Sequence, residues 1–235
     1  IENRADMGIA FDGDSDRIGV VDEQGRMIWG DQLMILFSRD ILRERPGATF
    51  ISEVKCSQTM YNDIRAHGGN AVMWKTGHSL IKAKMKETGA VMAAEMSGHL
   101  FFADRYFGYD DAIYAACRLV ELIKKQKSLN SSITLSALIS ELPKIHNTPE
   151  IRVACPANMK VIAVEKIKSM FMDSTNLPIK PREVITVDGI RAIFENGWAL
   201  VRSDQLSAGR AGAGLAGCAR PHERVSALTD RSSGP

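Results

Sequence analysis

The chain has 235 residues, with 30 Lys and Arg against 28 Asp and Glu, a length that accommodates one large domain or two smaller ones. Its 45% apolar and 25% charged residues are ordinary for a globular protein. The net charge of +2, with basic residues scattered and no aromatics interleaved among them, argues against nucleic acid. No apolar run reaches membrane-helix length, so no membrane partner is expected. The opening Ile1-Glu2-Asn3-Arg4 lacks the layout of a signal peptide. Cys56, Cys117, Cys155 and Cys218 are too far apart for a disulfide framework or a zinc site, and they read as reduced thiols of a cytoplasmic protein.

Met7 to Phe11 reads as a buried strand and Ile18 to Asp22 as a second, bracketing Asp12-Gly13-Asp14-Ser15-Asp16-Arg17. Carboxylates at every second position repel one another unless a cation sits among them, and their oxygens suit Mg²⁺. Gly13 would allow a sharp turn, and Arg17 adds a fork of donors suited to a phosphate. A solvated turn is the plain alternative. A calcium loop is a second one, because Glu23 stands at the twelfth position counted from Asp12. Against it, Arg17 occupies the place of that motif's glycine and a strand follows at once.

Met27-Ile28-Trp29 is a short strand, and Gln32 to Glu44 a helix with Leu33, Leu36, Phe37, Ile41 and Leu42 on its apolar face, stopped by Arg45-Pro46-Gly47. Strands at 48–53, 70–75 and 90–94 then alternate with helices beginning near Ser57 and Ser79. Burial of Met60, Ile64 and Tyr61 is expected on the first of these helices. A long helix covers 110–125, with Ile113, Ala116, Leu119 and Ile123 facing inward and Asp110-Asp111 as its cap. Leu135, Leu138, Ile139 and Leu142 form a last helix face. This alternation predicts a mostly parallel sheet covered on both faces. A meander of α+β type follows: a strand at 150–154, a helix at 158–171 with Val161, Val164, Ile167 and Met170 inward, and strands at 184–187, 190–194 and 198–202.

Two further stretches carry candidate chemistry. Lys75-Thr76-Gly77-His78-Ser79 lies where a strand meets a helix, so loop amides, Ser79 and the helix start make a local anion site. His78 can carry a proton or orient an oxygen; it can equally be a satisfied loop histidine. In Glu95-Met96-Ser97-Gly98-His99, Glu95 and Ser97 fall on one side of an extended segment and could hold two adjacent hydroxyls. Ser97 could instead cap a helix. Met96 reads as packing, His99 lies at the site rim, and Lys55 reads as a surface residue.

Together, these three stretches resemble the alpha-D-phosphohexomutases. Gly8 to Val21, Lys75 to Ser79 and Glu95 to His99 occur in the family's order, and the likeness runs from residue 1 to about Arg202. Most members carry Gly where this chain has Ser15. Phe101-Phe102 and Gly108-Tyr109-Asp110-Asp111-Ala112 resemble the branch that accepts both mannose and glucose phosphates.

The resemblance implies an α/β fold in three parts. Residues 1–45 would be the end of a mixed α/β metal-binding domain, 46–146 a complete α/β sandwich for the sugar, and 147–235 an α+β phosphate-binding domain with a disrupted end. It implies Asp12, Asp14 and Asp16 as Mg²⁺ ligands, and Arg17, Lys55 and His78 as catalytic groups. Glu95, Ser97, His99, Lys75 and Arg202 would bind substrate. Arg105 and the Asp110-Asp111 pair are weaker candidates.

The implied reaction passes a phosphoryl group between an enzyme serine and a hexose phosphate, with a hexose 1,6-bisphosphate as intermediate and activator. The family's Ser-His-Asn-Pro-like serine loop has no counterpart here. The expected partner is therefore a missing N-terminal part, and the isolated chain is expected to be inactive. Beyond about Ser203 the family's phosphate loop gives way to a Gly- and Ala-rich tail, which a one-base frameshift would explain and which should be poorly ordered. The alternatives are a phosphoglucosamine mutase fragment and a non-catalytic phosphosugar- or metal-binding module.

Overall fold

The computed structural model describes residues 1–144, 146–173, 175, 177–203 and 216–217. The chain forms two compact units, one of residues 1–144 with 185–191 and the other of 145–184 with 192–235.

The first unit begins with an antiparallel sheet of β1 (Met7–Phe11), β2 (Ile18–Asp22) and β3 (Met27–Ile28), in that order. The β1–β2 register runs from Met7 opposite Asp22 to Phe11 opposite Ile18, so the six acidic-loop residues form the hairpin connection. β2 buries alternate residues, as a strand with one face on a core should. β1 does not match its expectation: none of its residues is buried, and Phe11 is exposed.

Helix α1 (Gly30–Glu44) follows, and its predicted face is buried throughout. A second sheet has the order β5-β4-β6-β7-β8, from β4 (Thr49–Glu53), β5 (Asn70–Trp74), β6 (Met92–Ala94), β7 (Leu100–Phe102) and β8 (Tyr109–Asp110). β4 pairs parallel with β5 and β6, while β6–β7 and β7–β8 are antiparallel. The mostly parallel expectation is thus corrected to a mixed sheet. The apolar run from Leu100 to Phe102 returns beside β6 through the tight Glu95–His99 turn, and a tight return gives an antiparallel neighbour.

Connecting helices are α2 (Gln58–Ala66), α3 (His78–Thr88), α4 (Ala112–Leu129) and α5 (Leu135–Ser140). Alternation along the strands sorts the core onto two faces. Phe50, Met92, Ala94, Leu100 and Phe102 join the cluster containing α1, α2 and α4 residues. Ile51, Ala93 and Phe101 meet Ile81 and Met85 of α3 on the other face. Both faces of the sheet are covered, as predicted, and Met60, Tyr61 and Ile64 are buried on α2. On α4, Ala116, Leu119 and Ile123 are buried but Ile113 is exposed. The inward stripe runs through Ala112, Ala115, Ala116, Leu119, Leu122 and Ile123, and Ile113 falls beside it.

In the second unit, Glu150 to Ala154 is not a strand, and α6 (Lys160–Asp173) has no buried residue. Val164 and Ile167 are half-buried, whereas Val161 is 68% exposed and Met170 55%. Periodicity marked the apolar stripe, but the described part of this unit covers it only in part. The remaining sheet has the order β12-β11-β10-β9, with β9 (Glu183–Ile185), β10 (Ile190–Ile193), β11 (Trp198–Val201) and β12 (Ala216–Gly217). Apart from Ser203 and β12, the aberrant tail lies outside the described residues. Among the described residues, no helix is long and apolar enough to cross a membrane.

Candidate functional site

The acidic loop closes on itself. The Arg17 N–H donates to Asp12 Oδ1 at 3.1 Å, and the Ser15 N–H donates to the Asp12 carbonyl at 3.2 Å. Gly13 needs no special freedom, having ordinary φ and no neighbour within 4 Å of where a Cβ would stand. The residue that turns the chain is Ser15, with φ of +60°. That left-handed conformation is cheap for glycine and costly for serine. Oxygens of Asp12, Asp14 and Asp16 all lie within 4.8 Å of one another. Desolvation, with the charges of Asp14 and Asp12, pushes the Asp16 carboxyl above its ordinary value although His99 opposes it. For Asp12, desolvation is outweighed by the Arg17 N–H and guanidinium, and the carboxyl falls below its ordinary value. Three carboxylates converging in one loop, two of them raising the third, fit a hard dication such as Mg²⁺. Glu23 is used elsewhere: it accepts from the Ser136 N–H at 3.2 Å and from the Ser136 hydroxyl, which leaves the calcium-loop reading without its closing ligand.

The loop is joined to the larger sheet. Arg17 and His99 form an antiparallel bridge, and the Ile18 N–H donates to the Gly98 carbonyl at 3.1 Å. Gly98 is required here: its φ is +98°, and a Cβ would stand 2.5 Å from the Ile18 carbonyl oxygen. Arg17 Nε donates to His99 Nε2 at 3.0 Å. The opposite nitrogen, Nδ1, is 3.2 Å from Asp110 and 3.7 Å from Asp16. His99 is therefore not at a rim. It is 4% exposed and sits between the acidic loop and β8.

Asp110, a weaker candidate in the sequence and paired there with Asp111 as a helix cap, has a different place from its neighbour. Only Asp111 caps α4, accepting from the Tyr114 N–H at 2.8 Å. Asp110 instead takes Lys82 Nζ at 2.9 Å and faces His78 Nδ1 at 3.9 Å. Desolvation of Asp110 is outweighed chiefly by the Lys82 hydrogen bond, which holds its carboxyl below the ordinary value. Arg105 is spent on an ion pair with Glu121.

A second polar group lies at the ends of β4, β5 and β6. Glu95 is buried; its Oε1 accepts from the Gly77 N–H at 2.8 Å and its Oε2 from the Ser97 hydroxyl at 3.2 Å. Ser97, His78 and Lys75 are exposed. Lys55 is half-buried, its ammonium 3.3 Å from the Glu53 carboxylate. Glu53 is fully buried, accepts from the Met96 N–H at 3.0 Å, and was not singled out in the sequence. Burial pushes its carboxyl up, with Lys55 opposing and Glu95 reinforcing. A charged residue inside the otherwise β-branched, aromatic run before Lys55 was the available signal. Arg202 belongs to the second unit and is half-buried.

Residues 29–145 match the family model for phosphoglucomutase/phosphomannomutase, alpha/beta/alpha domain III. A phosphomannomutase/phosphoglucomutase of Pseudomonas aeruginosa is 44% identical over 203 residues, which is 86% of this chain and 42% of that protein. A phosphoglucomutase of Neisseria meningitidis is 43% identical over 206 residues, again 86% of this chain and 42% of the relative. The crystal structure of a Burkholderia thailandensis phosphoglucomutase/phosphomannomutase family protein superposes with a TM-score of 0.77 at 39% identity. It covers 92% of this chain and 43% of that one. The chain belongs to the alpha-D-phosphohexomutase family. It spans about 42% of the length of these curated relatives.

Proposed function

We propose that the phosphohexomutase containing this chain interconverts hexose 1-phosphates and hexose 6-phosphates of the mannose and glucose series in the cytoplasm. The phosphoryl group would pass through an enzyme serine and a hexose 1,6-bisphosphate. The observation that supports this best is the Arg17–His99 bridge, which joins the acidic loop to the turn carrying Glu95 and Ser97. A metal loop and a hydroxyl-binding turn are thereby held side by side, as transfer of a phosphoryl group to a sugar requires.

Asp12, Asp14 and Asp16 would hold one Mg²⁺, which when bound would neutralise charge on the transferring phosphoryl group. Arg17 donates toward the loop and His99 at once, so it can hold a phosphate oxygen between them. Exposed Ser97 offers a hydroxyl to the sugar. Buried Glu95, with both oxygens engaged, orients Ser97 and the Gly77 amide while accepting from a further sugar hydroxyl. Lys75, His78 and Lys55 surround the same strand ends and supply charge and protons, and Arg202 would bind the phosphate that is not transferred. We read residues 1–45, 46–146 and 147–235 as parts of the family's second, third and fourth domains, with the serine in a preceding part.

The test is a coupled assay of the intact enzyme on mannose 1-phosphate, glucose 1-phosphate and glucosamine 1-phosphate, beside calorimetry of the isolated chain with Mg²⁺ and glucose 1,6-bisphosphate. Turnover of the first two sugars is expected. Exclusive turnover of the amino sugar would overturn the substrate assignment. Binding by the chain, with no turnover by the intact protein, would make it a binding module.

A further inference from the structure

We infer that Arg191 is a positioning residue for Lys55, so that a side chain more than a hundred residues downstream sets where a site ammonium stands. The inference rests on the proposed function only for its activity readout.

Arg191 lies in the segment 185–191, which belongs to the same compact unit as the strand ends. It is 0% exposed. Its Nη1 donates to the carbonyl of Cys56 at 2.7 Å and to that of Val54, the two residues flanking Lys55. Its Nη2 reaches Gln58 Oε1 at 3.3 Å, and the guanidinium stands 5.6 Å from the Tyr61 ring centroid. The segment it fastens is already a tight turn, with the Cys56 N–H donating to the Glu53 carbonyl at 3.1 Å. One rigid fork on the carbonyls before and after Lys55 fixes the backbone from which that side chain leaves. Glu53, fully buried, then takes the ammonium at 3.3 Å. The base of Lys55 is thus set by Arg191 and its tip by Glu53.

The same turn reaches the next strand end. Asp188 Oδ2 accepts from the Thr76 N–H at 3.1 Å, immediately before Gly77, whose own N–H is held by Glu95. Burying a guanidinium is expensive, and an apolar side chain would fill the space more cheaply. What an apolar residue cannot do is hold two carbonyls in one orientation. Removing Arg191 should therefore release Lys55 from Glu53 and raise the reactivity of its amine.

The experiment is trace acetylation of the full chain, read by mass spectrometry, in wild type, Arg191→Met and Arg191→Lys. Circular dichroism establishes which variants fold. In folded Arg191→Met, Lys55 should label at least about threefold faster while exposed Lys86 and Lys124 keep their rates. Arg191→Lys, retaining one cationic donor, should fall between. An unchanged Lys55 rate in either folded variant overturns the inference.

In the intact enzyme, Arg191→Met should lower kcat by about tenfold and leave KM within about threefold, because groups near the reacting atoms move while the sugar contacts stay. A folded variant with wild-type kcat but altered Lys55 labelling would keep the positioning and remove Lys55 from catalysis. An intact wild type that turns over no hexose phosphate would defeat the proposed function and leave the labelling result standing.

Discussion

The acidic loop and the buried cluster around Lys55 hold their charges in opposite ways. In the loop, Asp12, Asp14, Asp16 and Arg17 are neighbours in sequence, largely open to solvent, and closed by hydrogen bonds spanning a few residues. In the cluster, Glu53, Lys55 and Arg191 are assembled from distant stretches, with Glu53 and Arg191 fully buried. An exposed group of like charges is unstable against itself and improves when a cation arrives. A buried group of opposite charges is complete without a ligand and suffers when any member leaves. Substitutions in the first should therefore change ligand affinity, and substitutions in the second should change the fold.

The largest effect is expected in the cluster. Arg191→Met strands two buried carbonyls and should cost about 3 kcal/mol of stability. Urea denaturation would measure it, and a loss below about 1 kcal/mol would show that water or a rearranged Gln58 replaces the guanidinium. Glu53→Gln probes the same cluster through pH. Burial raises the Glu53 carboxyl in the folded chain, so its contribution is fully present below the unfolded value near 4.5 and is lost as pH rises through the folded value. Gln does not titrate. The stability difference should therefore move in favour of Glu53→Gln as pH climbs above that unfolded value, as thermal melts at several pH values would read.

The loop should respond in affinity. Asp14→Asn removes one of three converging charges and should weaken Mg²⁺ binding at least about tenfold, or about 1.4 kcal/mol, while the apo fold is unharmed or slightly firmer. Unchanged Mg²⁺ titration of a folded variant would exclude the loop as a magnesium site. Ser15→Gly works in the other direction. Ser15 holds φ of +60°, and glycine there should add about 0.5–1 kcal/mol to stability. A loss of stability on Ser15→Gly would mean that the serine hydroxyl does more than occupy the turn.

This contrast also explains what could be read from the sequence. Asp12, Asp14, Asp16 and Arg17 are legible because loop chemistry is local: the spacing that brings the carboxylates together is the spacing on the page. Helix periodicity and the alternation of strands with helices were legible for the same reason, and they gave the larger sheet two covered faces. Direction was less legible. The short strands β7 and β8 return antiparallel through turns that hydrophobic patterning does not register, and β8 is what carries Asp110 to His99. Glu53 and Arg191 carry no local signal, because each has partners far away in sequence. Even the glycine argument was displaced by two residues, since Gly13 is the obvious hinge on composition while the left-handed φ falls on Ser15. Backbone conformation depends on where both ends of the hairpin are anchored, and one of those anchors is the Ser15 carbonyl accepting from the Ala112 N–H at 3.0 Å.

Glu23 stands between the two cases and carries the smallest expected effect. It sits in the local turn after β2, yet its partners are the Ser136 N–H and hydroxyl at the start of α5. Desolvation would raise its carboxyl, but the Ser136 hydrogen bonds outweigh it and bring the value down to about 2. A depressed carboxylate contributes stability that is present above its unfolded value of 4.5 and is lost as pH falls through the folded value of about 2. The side chain is half-buried at the surface, and solvent screening cuts the contribution to roughly a few tenths of a kcal/mol. Glu23→Gln should therefore be slightly less stable than wild type at pH 7, with the gap closing as the pH falls from 4.5 toward 2. Calcium should act equally on the two proteins, because Glu23 is held by α5 and is not among the ligands. A calcium-dependent rise in the melting temperature of wild type alone would return Glu23 to the acidic loop as a ligand and dissolve the distinction between local and distant partners at this residue.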